Sequence, residues 1–145
     1  MNNWDNKFIA LANLIKTWSK DRSTKVGSVI VGKNNEVISL GYNGFPRGYD
    51  DNLEENHLRP TKYFLTIHSE INSITLAARN GISLEGKTIY ITLFPCSECA
   101  KAIIQSGITR VVCPKPDFNH IKYGESFKFS LAMLQSSNLQ IDYTD

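Results

Sequence analysis

Apolar residues recur at Trp4, Phe8, Leu11, Ile15 and Trp18. Spacings of three and four put them on one face of a helix over about residues 4–19, with both tryptophans expected in the core. Two β-branched runs follow, 26–31 and 36–40, joined by Gly32-Lys33-Asn34-Asn35, which predicts an antiparallel hairpin. The segment Gly41-Tyr42-Asn43-Gly44-Phe45-Pro46-Arg47-Gly48 is rich in turn formers, and a polar loop continues to about Lys62. Ile67, Ile71, Ile74 and Ala78 mark one face of a helix that Asn80-Gly81 stops. Residues 88–93 read as a strand. Pro95 stands where a further helix begins, with Ala100, Ile103 and Ile104 on its buried face and Gly107 at its end. Residues 110–113 form a short buried strand that Cys113 finishes. Phe127, Leu131 and Leu134 give a last helical stripe, and Leu139, Ile141 and Tyr143 alternate with polar residues as an edge strand.

The predicted order is therefore α-β-β-α-β-α-β-α-β. A helix between successive strands implies right-handed parallel crossovers, while the first two strands pair antiparallel through their short turn. The fold class is α/β: a three-layer α-β-α sandwich, with one five-stranded mixed sheet and helices on both faces. A chain of 145 residues suits one domain over 1–145, and no repeat or linker divides it.

Charge narrows the partners. The chain carries 16 basic and 14 acidic residues, a net +2, with no long run of either sign. A nucleic-acid binder normally shows a clustered basic face, so no nucleic-acid partner is expected, whereas a small anionic substrate needs only two or three placed cations. No apolar stretch approaches the roughly 20 residues that span a membrane, and Met1-Asn2-Asn3-Trp4-Asp5 lacks a signal-peptide pattern. The expected location is the cytoplasm. Three cysteines, two of them in a C-x-x-C, fit a metal or redox set better than a disulfide framework.

The chemistry concentrates in His68-Ser69-Glu70 and Pro95-Cys96-Ser97-Glu98-Cys99. One histidine and two cysteines are soft metal ligands that leave a fourth position for water, which is the composition of a catalytic zinc site. Glu70 is a carboxylate that the metal does not need and that can carry protons for a metal-activated water. Cys96 and Cys99, at i and i+3, share one helical face, and a helix N-terminus favours the thiolate. A thioredoxin-like redox pair is an alternative, but it leaves His68 unexplained. A structural zinc site needs a fourth ligand, for which Cys113, His57 or His120 would have to serve.

H-x-E followed by P-C-x-x-C is the signature of zinc deaminases of nucleobases. With Asp21-Arg22-Ser23-Thr24-Lys25-Val26-Gly27, the Gly-Tyr-Asn-Gly-x-Pro segment and the long insert before His68, the chain from about Trp18 to Val112 resembles the deoxycytidylate (dCMP) deaminases of the cytidine deaminase-like superfamily. The resemblance implies hydrolysis of dCMP to dUMP and ammonia, feeding thymidylate synthesis. It implies Zn2+ on His68, Cys96 and Cys99, with Glu70 moving a proton from the activated water to cytosine N3 and then to the leaving amine. Asn43 matches an asparagine that hydrogen-bonds the sugar. Lys25, aided by Arg22, matches a basic position for the 5′-phosphate, and Phe118 falls near an aromatic that packs on the nucleotide. Many relatives are homo-oligomers, hexamers or dimers, activated by dCTP and inhibited by dTTP. An effector site near Tyr42, Gly44 and Arg47 is implied, with Mg2+ accompanying a triphosphate. Ser69 replaces a common alanine, a small-for-small change expected to be harmless, and residues 115–123 depart from the family pattern.

Other readings remain. One is a deaminase of another cytosine nucleotide, such as a 5-modified dCMP. A tRNA-adenosine type of deaminase would be expected to carry a stronger basic groove and a shorter connection from Asn43 to His68. A zinc-stabilised interaction module without catalysis is the third.

Overall fold

Helix α1 (Asn3–Lys16) opens on a capping box: the Asn2 side chain accepts the Asp5 N–H, and the Asp5 carboxylate accepts that of Asn2. The computed structural model describes residues Met1–Asp145. Phe8, Ala12 and Ile15 form the buried stripe of α1. The two tryptophans do not join the core: Trp4 is 45% and Trp18 51% exposed. Trp18 lies past the helix end, edge-on to Tyr42, and Trp4 sits in the first turn, stacked on Phe8 under the Lys7 ammonium. Helical spacing identifies the right side of α1, but the buried stripe runs Asp5, Phe8, Ala12 and Ile15, which leaves Trp4 at its edge and Trp18 beyond the helix end.

The hairpin is β1 (Gly27–Val31) and β2 (Val37–Tyr42), with a bulge between Ile30 and Val31. Then come β3 (Thr88–Ile91), antiparallel to β1, and β4 (Arg110–Cys113) and β5 (Gln140–Tyr143), each parallel to its predecessor. The sheet order is β2-β1-β3-β4-β5. Side chains alternate across it. Val29, Val31, Tyr90 and Val112 pack with α1, whereas Ile30, Ile89, Ile91, Val111 and Cys113 face the opposite core. That second core is closed by α3 (Ser69–Arg79), α4 (Ser97–Gln105) and α5 (Gly124–Ser136), through Ala77, Ile103, Phe127 and Leu134 among others. Helices thus cover both faces, one against three. Crossovers that all advance across the sheet in one direction keep their helices on one side.

Two departures bear on the site. The segment expected to run as a polar loop to about Lys62 contains a 3₁₀ turn (Glu54–His57) and a short helix α2 (Thr61–Leu65). A five-residue helix is too short to show a periodic stripe. On α3 the fully buried residues are Ser69, Glu70, Ser73 and Ala77, while Ile71 and Ile74 are half-buried and Ala78 is exposed. This polar face reaches the sheet because Gly41 on β2 has no side chain: a Cβ there would stand 2.5 Å from the Ser69 carbonyl oxygen and 2.6 Å from the Ser73 nitrogen. Serine hydroxyls satisfy the buried polar atoms. Ser28 Oγ on β1 donates to the Ser69 carbonyl at 2.9 Å, and Ser39 Oγ on β2 to that of Ser73 at 2.7 Å.

Candidate active site

The carboxyl ends of β2, β3 and β4 open at one end of the sheet, where ligands of open α/β sheets gather. His68 is the N-cap of α3 and Cys96 the N-cap of α4, so the starts of two helices bring their side chains together. His68 Nδ1 lies 3.3 Å from Cys96 Sγ and 3.4 Å from Cys99 Sγ, and all three donor atoms fall within 4.8 Å of one another. A tetrahedral zinc with ordinary Zn–S and Zn–N bonds spaces such donors roughly 3.6 Å apart, so the set fits that ion. The hydrogen bond from Cys99, joined by one from His68, pulls the Cys96 thiol well below the usual thiol range against the opposing effect of burial. Cys99, the donor, is pushed up by that bond and by burial, so a divalent ion bound here displaces its proton. His68 is raised chiefly by its hydrogen bond to Cys96.

None of the proposed fourth ligands joins this group. Cys113 is buried at the end of β4. His57 Nε2 bonds the Asp51 carbonyl at 2.7 Å and its ring stacks on Phe45. His120 Nδ1 accepts the N–H groups of Lys122 and Tyr123, both at 3.1 Å. The three-ligand set is left without a protein fourth donor, as an open metal site requires.

Glu70, 4% exposed, lines the same cavity of about 380 Å3 as His68 and Cys96. Burial pushes its carboxyl up from the ordinary range, and a hydrogen bond from the Ser69 hydroxyl pulls the other way. The cavity volume lies within the usual range of small-molecule sites.

Of the four substrate contacts expected from sequence, Asn43 alone lines the cavity. Its amide also pins the neighbouring loop: Oδ1 accepts the Val26 N–H at 2.9 Å and Nδ2 donates to the Thr24 carbonyl at 2.8 Å. Lys25 and Arg22 are exposed and lie outside the lining, and Arg22 pairs with Glu54 at 3.1 Å. Phe118 is 38% exposed and also outside it. A turn in which Asp21 Oδ1 accepts the Ser23 and Thr24 N–H groups leaves Asp21, Ser23 and Thr24 lining the cavity and Arg22 outside it.

The cations that do line the cavity are Arg59, Lys62 and Lys122. Lys62 is buried and held 3.2 Å from Asp21, whose Oδ1 also accepts the N–H groups of Ser23 and Thr24. Burial opposes ionisation of Asp21, but these bonds outweigh it and keep the carboxyl below its usual range. Arg59 and Lys122 make no ion pair. Both rest on Tyr63: Arg59 Nε donates to the phenol oxygen at 2.6 Å, and Lys122 Nζ stands 4.4 Å from the ring centroid. Two of these cations come from the insert read as a polar loop, the third from residues 115–123. The basic residues of the insert before His68 were the available signal.

The effector positions lie elsewhere. Gly44 bridges Ile67 through two backbone hydrogen bonds, Tyr42 meets Trp18, and Arg47 is exposed. The cavity beside Tyr42 and Gly44 measures about 40 Å3, and its cation, Lys20, is paired with Asp51 at 2.8 Å.

The sequence model of the cytidine and deoxycytidylate deaminase zinc-binding region matches residues 2–115, most of the chain, which therefore belongs to this deaminase family of enzymes. Within the family it falls with the deoxycytidylate deaminases. It is 40% identical to that of Mus musculus over 137 residues, covering 90% of this chain and 72% of that protein. An Aliivibrio fischeri protein described as an uncharacterized deaminase in the luxG 3′ region is 39% identical over 141 residues, 97% of this chain and 92% of that one. The dCMP deaminase of cyanophage S-TIM5, solved in complex with dCMP and dUMP, shares the fold with a TM-score of 0.80 over 99% of each chain at 24% identity.

Proposed function

We propose that this chain hydrolyses dCMP to dUMP and ammonia, and so supplies dUMP for thymidylate synthesis. The observation that carries the reading is one cavity with a three-ligand metal cluster and a buried glutamate among its lining residues, together with two unpaired cations. Zinc held by His68, Cys96 and Cys99 supplies a Lewis acid that makes a water nucleophilic near neutral pH. Glu70 moves one water proton to ring N3 and a second to the leaving amine, so its carboxylate is regenerated each turnover. The oxygen stays on C4 and ammonia departs. Asn43 retains one amide hydrogen and one oxygen lone pair for the sugar. Arg59, Lys62 and Lys122 replace Lys25 and Arg22 as the groups that meet the 5′-phosphate.

The remaining parts of the resemblance belong to the same proposal. The chain works in a reducing cytoplasm, which suits three free cysteines, as a homo-oligomer. A dCTP or dTTP effector with Mg2+ at Tyr42, Gly44 and Arg47 would have to open the small cavity there and part Lys20 from Asp51. Ammonia release from dCMP, CMP, 5-methyl-dCMP, dCTP, deoxycytidine and tRNA tests the substrate. Preference for dCMP is expected, and faster release from tRNA overturns it. A dCMP curve that stays hyperbolic and unmoved by both triphosphates removes the regulation.

A further inference from the structure

Between the histidine and the glutamate of the motif, Ser69 brings a hydroxyl whose one hydrogen bond goes to the neighbouring glutamate. Ser69 is fully buried, and its Oγ donates to Glu70 Oε1 at 2.6 Å. The serine cannot drift. Ser28 Oγ of β1 holds its carbonyl at 2.9 Å, and Gly41 of β2 lets the first turn of α3 sit against the sheet. The Glu70 backbone is held as well, because its carbonyl accepts Ser73 Oγ at 2.9 Å. A glutamate side chain turns about three bonds, and the hydrogen bond to Oε1 restricts that freedom in the buried Glu70.

We propose that Ser69 is a positioning residue for the deamination: anchored to β1 through its carbonyl, it fixes the Glu70 carboxylate in the orientation from which protons move. The proposal rests on the reading of Glu70 as proton carrier. Chemically the serine neither gains nor loses a proton over the cycle. It acts only through the carboxylate.

A double-mutant cycle tests this in the zinc-loaded protein. Ser69→Ala is expected to lower kcat for dCMP about tenfold, equivalent to about 1.4 kcal/mol, with KM within about twofold and zinc content unchanged. In the Glu70→Gln background the same substitution should change the residual rate by less than about twofold, because no carboxylate remains to orient. Equal losses in both backgrounds, or an unchanged kcat in the single variant, overturn the proposal. Crystal structures of the zinc-loaded wild type and Ser69→Ala give a readout that needs no substrate. The wild type should show one Glu70 conformer and the variant a shifted or split carboxylate; an unmoved carboxylate overturns the tether. A wild type that releases no ammonia from dCMP defeats the substrate reading by itself, and the crystallographic comparison still decides the role of Ser69.

Discussion

Asp5→Ala removes the carboxylate on which three elements converge. Asp5 is 1% exposed and accepts both Arg110 Nη atoms at 2.9 Å, the Tyr90 hydroxyl at 2.6 Å and the Asn2 N–H at 3.0 Å. It thereby joins α1 to β3 and β4, and Arg110 continues to Asp142 of β5 at 2.7 Å. Breaking a buried pair by deleting one partner costs about 3–5 kcal/mol, since the other charge is left uncompensated. Arg110 keeps Asp142 and is partly exposed, which lowers the cost, while the lost capping box adds to it. About 4 kcal/mol is the expected sum. For 145 residues the unfolding entropy is roughly 0.3 kcal/mol/K, so Tm should fall by roughly 13 °C. Calorimetry at saturating zinc near pH 7 measures it. The pH dependence has a definite sign. Hydrogen bonds from Arg110 outweigh burial and hold the Asp5 carboxyl well below the usual carboxylate range. Its contribution is therefore complete above the unfolded value of about 4 and lost as pH falls below that. The gap between wild type and variant should close in acid. A Tm loss under about 3 °C, or a gap that stays constant into acid, would refute the reasoning.

Three further outcomes follow from the site. Glu70→Gln should keep zinc and lose a factor of about 10²–10⁴ in kcat, and retained turnover would sink the mechanism. Arg59→Ala and Lys122→Ala should each raise KM for dCMP about tenfold or more while leaving deoxycytidine unchanged; Lys25→Ala and Arg22→Ala should affect neither substrate. Equal effects on both substrates would remove the phosphate assignment. Chelation should abolish activity and lower Tm, with zinc at a hundredfold excess over its Kd restoring about 2.7 kcal/mol; an active apoprotein would exclude the metal chemistry.

The elements legible in sequence were those marked by a continuous buried apolar run or by a periodic apolar stripe. The residue 110–113 strand coincides with β4, and Phe127 with Leu134 marks the buried face of α5. Trp4 and Trp18 misled because the buried stripe is Asp5, Phe8, Ala12 and Ile15: Trp4 lies one position off it, and Trp18 lies beyond the helix end. On α3 the isoleucines pointed near the buried face but not to it: serines at Ser69 and Ser73 are buried there because hydroxyls from β1 and β2 satisfy their polar atoms.

Sequence alone singled out His68, Cys96, Cys99 and Glu70 as candidates, because each short motif is held within one helix start, and the fold brings the two helix starts together. It also determined the order of the five strands and of the longer helices, which follows from local apolar patterning, and missed only the 3₁₀ turn and α2. Only the tertiary structure decided which cations face the cavity. Arg59, Lys62 and Lys122 come from two segments brought together by the sheet, and their direction depends on partners distant in the chain, Asp21 for Lys62 and Tyr63 for Lys122. The same holds for Ser69. Its hydroxyl is adjacent to Glu70 in sequence, but burial and the anchor on β1 make that adjacency a fixed contact.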